Sequence, residues 1–546
     1  MTTHRPLSNR ARMLPSRLGI LALLAATSLY SIAYACLAPM RLLVTKVFDD
    51  AGYYFEIAHN IVSGHGISFD SLHPPNGVQP LWLILILPLE AFSRLSPEIV
   101  YRAGLVFQIA LLALAFWLLE RELGHWFAPR VRLLAIAMML FTVFLPAVNG
   151  MESAILILTL VLLFAYGRRG DVFGRDDPRA AYAFGLIAGL VALARLDMIF
   201  LLAAVGLASL LAPARSGSRA SARGETRARF ERTAAIGAGV STLVAPYLAF
   251  NWITTGHLMP ISGALKTSFP AIAHSGSLIA RFGARHLLFL AIGAFALAIT
   301  AARALRVRSA GDRRFDYFDG SVAVASLAML LHAAYSFAFM NWAVFRWHFI
   351  WYGLAAGLAL CRPIASWTRT LRADRAPWIH APVLAAVLLV GGLETYRKDF
   401  PKPAYDWHQA AYDAARWART HTPKNAIFAM NDAGIFGFFS ERPVVNLDGV
   451  ANNLAYQDAL RAKRLGAYLR DSGVQYIVDH NAGKHVDVDH YRATQYDVLS
   501  HRYHVVSDPI TLRRADEVFR GPTYQHEGRY DVACIIWKLP HADLVR

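Results

Sequence analysis

A polytopic α-helical membrane protein carrying a soluble α/β domain at its C-terminal end is the fold class this sequence predicts. Three observations predict it. Of 546 residues, 55% are hydrophobic and only 17% charged, whereas soluble domains run nearer roughly 45–50% and about 25%. The apolar excess, a mean hydropathy of +0.35, lies in runs long enough to cross a bilayer. After Glu394 the runs shorten to strand length and polar residues rise.

The formal net charge of +17 does not mark a nucleic-acid binder. Most of the arginines sit in short loops between apolar runs, which is the pattern of cytoplasmic loops in membrane proteins. Cys36, Cys361 and Cys534 show no ligand spacing, so neither a disulfide framework nor a zinc site is predicted. Arg5, Arg10, Arg12 and Arg17 precede the first apolar run and set the N-terminus in the cytoplasm. Ala33-Tyr34-Ala35 resembles a cleavage site, but the run is long for a signal peptide and further spans follow, so an uncleaved first span is expected.

That span, 18–38, leads to a long outer loop, 39–79. The loop contains two adjacent acids, Asp49 and Asp50, followed by AGYYFEIAHNIVS (51–63). Helical spacing puts Tyr54, Ile57, Ala58 and Ile61 on one face and Glu56, His59, Asn60 and Ser63 on the other, predicting a helix on the membrane surface. Gly64-His65-Gly66 ends it, and Pro74-Pro75-Asn76-Gly77 is a turn signal. The next apolar segment, 80–89, is short and holds an internal proline. If it crossed, the arginines of 168–179 and 215–232 would fall outside. If it does not, every arginine-rich loop falls inside, so it is read as juxtamembrane.

The predicted spans are then 18–38, 100–119, 132–148, 153–167, 181–194, 196–212, 234–253, 286–301, 320–340, 347–360 and 380–394, about eleven transmembrane helices. The Ser/Arg/Ala segment 214–224 reads as a solvated cytoplasmic loop. Residues 1–394 form the membrane domain and 395–546 an extracytoplasmic one. In the latter, 426–430, 475–478 and 532–539 read as strands and 406–420 and 455–472 as helices, an alternation typical of small α/β units.

This topology gathers polar residues on the outer side. Asp49 and Asp50 begin the surface helix. Glu152 follows Asn149-Gly150-Met151 at a turn. Arg195 and Asp197 occupy a hairpin apex. Lys266 lies in the loop after the seventh span, and Arg346 and His348 open the tenth. Acids facing cations at one membrane surface suit an acid–base catalyst beside a phosphate-binding group. A helix N-cap accounts for one of the adjacent acids, not both. Asp432 and Asp448 follow likely strands, where α/β sheets bind ligands.

Three stretches carry a family resemblance: Phe48-Asp49-Asp50-Ala51-Gly52-Tyr53-Tyr54-Phe55-Glu56, then Gly64-His65-Gly66, then Asn76-Gly77-Val78-Gln79-Pro80-Leu81-Trp82. Together they resemble the first outer loop of GT-C glycosyltransferases, particularly bacterial enzymes related to the mycobacterial arabinofuranosyltransferases. Asn431-Asp432-Ala433-Gly434-Ile435-Phe436-Gly437 and Val445-Asn446-Leu447-Asp448-Gly449 resemble a block of the soluble domain in such enzymes. Gln79 departs from the pattern, which has His, and Trp347-His348 stands where a Tyr-rich stretch is expected.

The resemblance implies a GT-C fold with juxtamembrane helices in the first outer loop. It implies an inverting glycosyltransferase of the cytoplasmic (inner) membrane, moving a sugar from a polyprenyl-phosphate donor to a glycan, lipid or protein acceptor of the cell envelope. The implied base is Asp50, with Asp49 second. Glu152, Arg195, Asp197, Lys266, Arg346, His348, Asp432 and Asp448 are the expected substrate-binding residues. No cofactor is predicted, although a divalent cation bridging acids and phosphate is compatible with the family. Membrane lipids are partners and nucleic acid is not. A lipid-linked sugar transporter or flippase, and a non-catalytic envelope-assembly protein, are the competing functions. The sequence shows neither the repeats nor the broken midplane helices of a transporter.

Overall fold

The computed structural model describes residues 8–92, 96–174, 176–212, 222–273, 278–309, 316–340, 342, 344–370, 376–400, 405–482, 493–496, 510–526 and 530–539. Most of the loop 214–224 lies outside the described residues.

Every predicted span coincides with helix. The long helices include Ser8–Leu37, Pro97–Leu123, Ala222–Thr255, Leu278–Ser309, Tyr317–Phe339, Ile350–Thr370 and Ala376–Asp399. Among the described residues, seven helical segments are long and apolar enough to cross a membrane by length and composition alone, while Pro178–Ala194 and Leu196–Leu211 are apolar but shorter. The chain is thus built as a multi-pass membrane protein. The segment after Gln79 is a helix, Pro80–Ile86, running into a 3-10 turn, Leu87–Phe92, that contains Pro88. Thirteen residues at about 1.5–2 Å each fall short of the ~30 Å hydrocarbon thickness. The three cysteines are free thiols.

The C-terminal region opens with the helix Trp407–His421 and builds a mixed sheet. Val444–Asn446, Phe428–Met430 and Tyr476–Ala482 run parallel in that spatial order. Tyr530–Lys538 joins antiparallel to Tyr476–Ala482. The expected helix 455–472 is two helices, Leu454–Arg461 and Leu465–Asp471, separated where Lys463 takes a left-handed φ of 54°.

The segment 39–79 differs from its expected form. The helix Asp50–Val62 does not rest on a membrane surface with a wet polar face: Ala51 to Ala58 and Asn60 are all buried. The C-terminal region covers the start of this helix at Gly52, and the loop residues Ser68, Phe69 and Ser71 cover Asn60 further along it. The short helix Gly434–Ser440 of the C-terminal region lies across the start of Asp50–Val62 so closely that two glycines meet. A Cβ on Gly52 would stand 2.1 Å from the Gly434 carbonyl oxygen, and one on Gly434 2.0 Å from that of Asp49. Helical periodicity locates an apolar stripe; it cannot show what the fold lays over the opposite stripe.

Burial of that polar face has a titration consequence. The Glu56 carboxyl, 6% exposed, is pushed up to about 8 by burial, with Glu90 and Glu441 adding to the rise and His59 opposing it. Its unfolded value is near 4.5. The folded chain therefore holds a proton that the unfolded chain releases, and stability falls as pH rises between those two values. His59, raised chiefly by its contact with Glu90, shifts stability in the same direction. Glu56→Gln is expected to flatten the decline in Tm between about pH 5 and pH 8, by at least ~2 °C at the alkaline end. Thermal melts of both proteins across that range check this; parallel curves would show that Glu56 is not the group responsible.

Candidate active site

Asp49 and Asp50 are adjacent in sequence but have different partners. Asp49 is buried, and both of its oxygens are engaged: Oδ2 accepts from the Gly434 N–H (2.9 Å) and Oδ1 from the Ile435 N–H (2.7 Å). It makes no side-chain cap on its own helix. It instead caps the first turn of the soluble-domain helix Gly434–Ser440, where unpaired N–H groups and the helix dipole favour an anion. Burial nevertheless holds its carboxyl well above the usual range, against those two hydrogen bonds.

Asp50 is only partly buried and forms no hydrogen bond or ion pair among the described residues. Burial is the main influence on its carboxyl, which is raised to about 6; Lys266 pulls it down, while Asp448 and Glu152 push it up. Three groups distant in sequence thus act on this one carboxylate.

Asp448 enters from the soluble domain. The parallel strands pair Met430 with Asn446, and Asp432 and Asp448 each lie two residues beyond these strand ends, at the carboxyl edge of the sheet. Asp448 Oδ2 accepts from the Tyr53 hydroxyl (3.2 Å), the Asp432 N–H (3.0 Å) and Asn446 Nδ2 (2.9 Å). Its Oδ1 accepts from the Val450 N–H (2.9 Å). Tyr53 OH also accepts from the Ala433 N–H and from Asn446 Nδ2, each at 2.9 Å. Tyr53 lies one turn after Asp50 on the same helix face, so this knot is fastened directly beside the free carboxylate. Asp432 contributes its backbone to the knot, and its side chain faces His480 (3.7 Å).

A second knot lies on the membrane side. Glu152 is 3% exposed; its Oε2 accepts from Tyr54 OH (3.1 Å) and its Oε1 lies 3.4 Å from Arg195 Nη1. Arg195 also donates through Nε and Nη2 to Asp197 (3.1 and 2.5 Å) and through Nη1 to the Trp347 carbonyl (3.0 Å). Each of the three guanidinium nitrogens has a protein partner, so Arg195 fastens the site. Asp197 also meets His332 Nε2 at 3.4 Å, and His332 Nδ1 pairs with Tyr352 OH at 2.8 Å. Gln79 serves this knot: its Oε1 accepts from the Leu196 N–H (3.1 Å), and its own N–H reaches Tyr54 OH (3.2 Å). Trp347 packs on Phe48, next to Asp49, with ring centroids 4.1 Å apart.

Lys266 ends the short helix Ile261–Lys266. It lies over the Trp342 ring at 5.9 Å, with no hydrogen bond or ion pair among the described residues. His348 accepts from the Phe345 N–H through Nδ1 (3.2 Å) and lies within electrostatic reach of Arg195 and Lys266. Arg346 is exposed and acts on Arg285, His286 and Glu394 instead; the structure does not bring it to Asp50. Among the described residues, no group of three or more His, Cys, Asp or Glu side chains is arranged to hold a metal ion.

Sequence reasoning missed Tyr53, Tyr54, Asn446 and His332 as parts of the site. His332 carried a usable signal, since an ionisable residue inside an apolar span is costly without a partner. The tyrosines carried none, because aromatic residues in an amphipathic helix ordinarily pack.

The fold is similar to that of solved membrane glycosyltransferases. The apo oligosaccharyltransferase of Archaeoglobus fulgidus superposes with a TM-score of 0.50 at 15% identity, over 84% of this chain and 69% of that one. The same organism's oligosaccharyltransferase AglB, in complex with an inhibitory peptide and a dolichol-phosphate, gives 0.47 at 14% identity over 85% and 69%. The arabinofuranosyltransferase AftD from mycobacteria gives 0.41 at 17% identity, over 96% of this chain but 40% of its own length. Residues 403–530 match a domain of unknown function, DUF8728. No curated protein matches the sequence.

Proposed function

We propose that the protein is a membrane glycosyltransferase that moves a sugar from a polyprenyl-phosphate donor to an acceptor hydroxyl on the outer face of the cytoplasmic membrane, with inversion. The observation that carries this reading is Asp50: a carboxylate without a protein partner among the described residues, set among buried residues that are fully engaged. In this reading Asp50 takes the proton of the acceptor hydroxyl as its oxygen attacks the anomeric carbon. The polyprenyl phosphate departs already charged, so it needs a cation and not a strong acid. Lys266 is the cation assigned to it, because each guanidinium nitrogen of Arg195 already has a protein partner and Arg346 acts on Arg285, His286 and Glu394. Glu152, Asp197 and Asp448 hold the frame, Asp49 joins the two domains, and the soluble domain carries the acceptor. The GT-C fold supports the class of reaction.

The test uses purified protein in detergent with a panel of polyprenyl-phosphate sugars and envelope glycan acceptors. Release of polyprenyl phosphate, dependent on both protein and acceptor, is the expected result. No release from any donor, together with no binding of polyprenyl phosphate, would overturn the reading.

A further inference from the structure

The turn that carries Asp448 also reaches the helix that carries Lys266. Asp448 Oδ1 holds the Val450 N–H (2.9 Å). The Val450 carbonyl presses on Gly77, where a Cβ would stand 2.2 Å from that oxygen. The Gly77 carbonyl accepts from the Ser262 hydroxyl (2.9 Å). Neighbouring Asn76 accepts from the Ile261 N–H through Oδ1 (2.8 Å) and donates through Nδ2 to Thr255 Oγ1 (3.2 Å). Ile261 and Ser262 open the helix that Lys266 closes.

A six-residue helix has almost no stability of its own, so its placement depends on these outside contacts. Gly77 has an ordinary backbone conformation, being absent from the positive-φ residues. Glycine is needed here because a carbonyl of the other domain occupies the space of a side chain. The electrostatics agree with this layout, since Lys266 acts on both Asp50 and Asp448.

We propose that Asn76-Gly77 is a positioning element through which the soluble-domain turn 448–450 sets Lys266 to receive the donor phosphate. The soluble domain is then half of the donor site as well as a platform for acceptor. The inference rests on the glycosyltransferase reading only in taking Lys266 as a phosphate ligand, and it can be tested without turnover.

The test measures binding of farnesyl phosphate to the full chain in detergent. Lys266→Ala should weaken binding about tenfold, the scale of one charge-assisted contact. Gly77→Ala should weaken it by a similar factor. The Gly77→Ala, Lys266→Ala double variant should bind within about twofold of Lys266→Ala alone, because both changes remove one coupled interaction. Ser262→Ala should lose a few-fold, and Ser262→Thr, which keeps the hydroxyl, should restore it. Additive losses, or wild-type binding by both Gly77→Ala and Ser262→Ala, would overturn the proposal while leaving Lys266 as a ligand. Equal binding by wild type and Lys266→Ala would remove the phosphate role itself. If Gly77→Ala does not fold, the Ser262 pair and its combination with Lys266→Ala decide the matter.

Discussion

Asp50→Asn is expected to abolish sugar transfer, lowering the rate at least ~10²–10⁴-fold, the range of a lost general base, while the protein stays folded. The substitution keeps side-chain shape. Asp50 also supports no helix cap and no ion pair among the described residues, so nothing structural is withdrawn with its charge. On the proposed mechanism, wild-type protein should show a transfer rate that rises with pH and levels off above about 6, because a base works only when deprotonated and the Asp50 carboxyl is raised to about 6. Asp448→Asn should move that limb to lower pH by removing one of the charges that raise Asp50. Steady-state transfer rates between about pH 4.5 and 8, with size-exclusion profiles as the folding control, check both. Full activity in Asp50→Asn would refute the mechanism. Asp49→Asn is a poor substitute for this test, since its amide would face the two N–H groups that Asp49 accepts.

Gly52→Ala is expected to separate the two domains' working surfaces and to lose activity without touching a reacting group. The added methyl would stand 2.1 Å from the Gly434 carbonyl oxygen, with the carbonyl carbon at 2.2 Å, and neither backbone can yield. Overpacking of this kind costs about 1–3 kcal/mol. Displacing Gly434 also breaks the Asp49 cap, for about 0.5–2 kcal/mol more. It pulls on Tyr53, one residue on, which ties Asp448 and Asn446 to the same helix. The measurable results are transfer near background, a lower Tm and faster proteolysis between Asp399 and Trp407. The membrane helices should remain resistant. A Gly52→Ala protein with wild-type activity and melting would mean that this seam is not what joins the two regions.

These two residues also mark where sequence reading stops. The pair Asp49-Asp50 could be singled out as costly acids beside a membrane, and arginine placement reads Pro80–Leu89 as juxtamembrane; in the structure this segment is a short apolar helix and 3-10 turn. Which acid is free could not be read from adjacency. One is capped by backbone N–H groups 385 residues later, and only the folded chain brings them there. Arg195 shows the same limit from the cationic side. In sequence it is an arginine beside an aspartate at an outer hairpin, equally suited to phosphate or to structure; in the fold, Glu152, Asp197 and the Trp347 carbonyl consume its donors. Lys266 could not be ranked above Arg346 by pattern, since each is a cation in an outer loop.

By itself the sequence determined that this is a multi-pass helical membrane protein, that a unit of mixed helix and strand follows the apolar helices, and which loops hold the polar residues. Those properties depend on composition and local periodicity, and local physics is enough to express them. The tertiary structure decided that the start of helix Asp50–Val62 is buried against the C-terminal region, that Asp49 is a joint while Asp50 has no hydrogen-bond or ion-pair partner among the described residues, and that Lys266 is a cation acting on Asp50. Each of these depends on the partners that close a hydrogen bond or occupy a glycine's empty side-chain space, and those partners lie in distant parts of the chain.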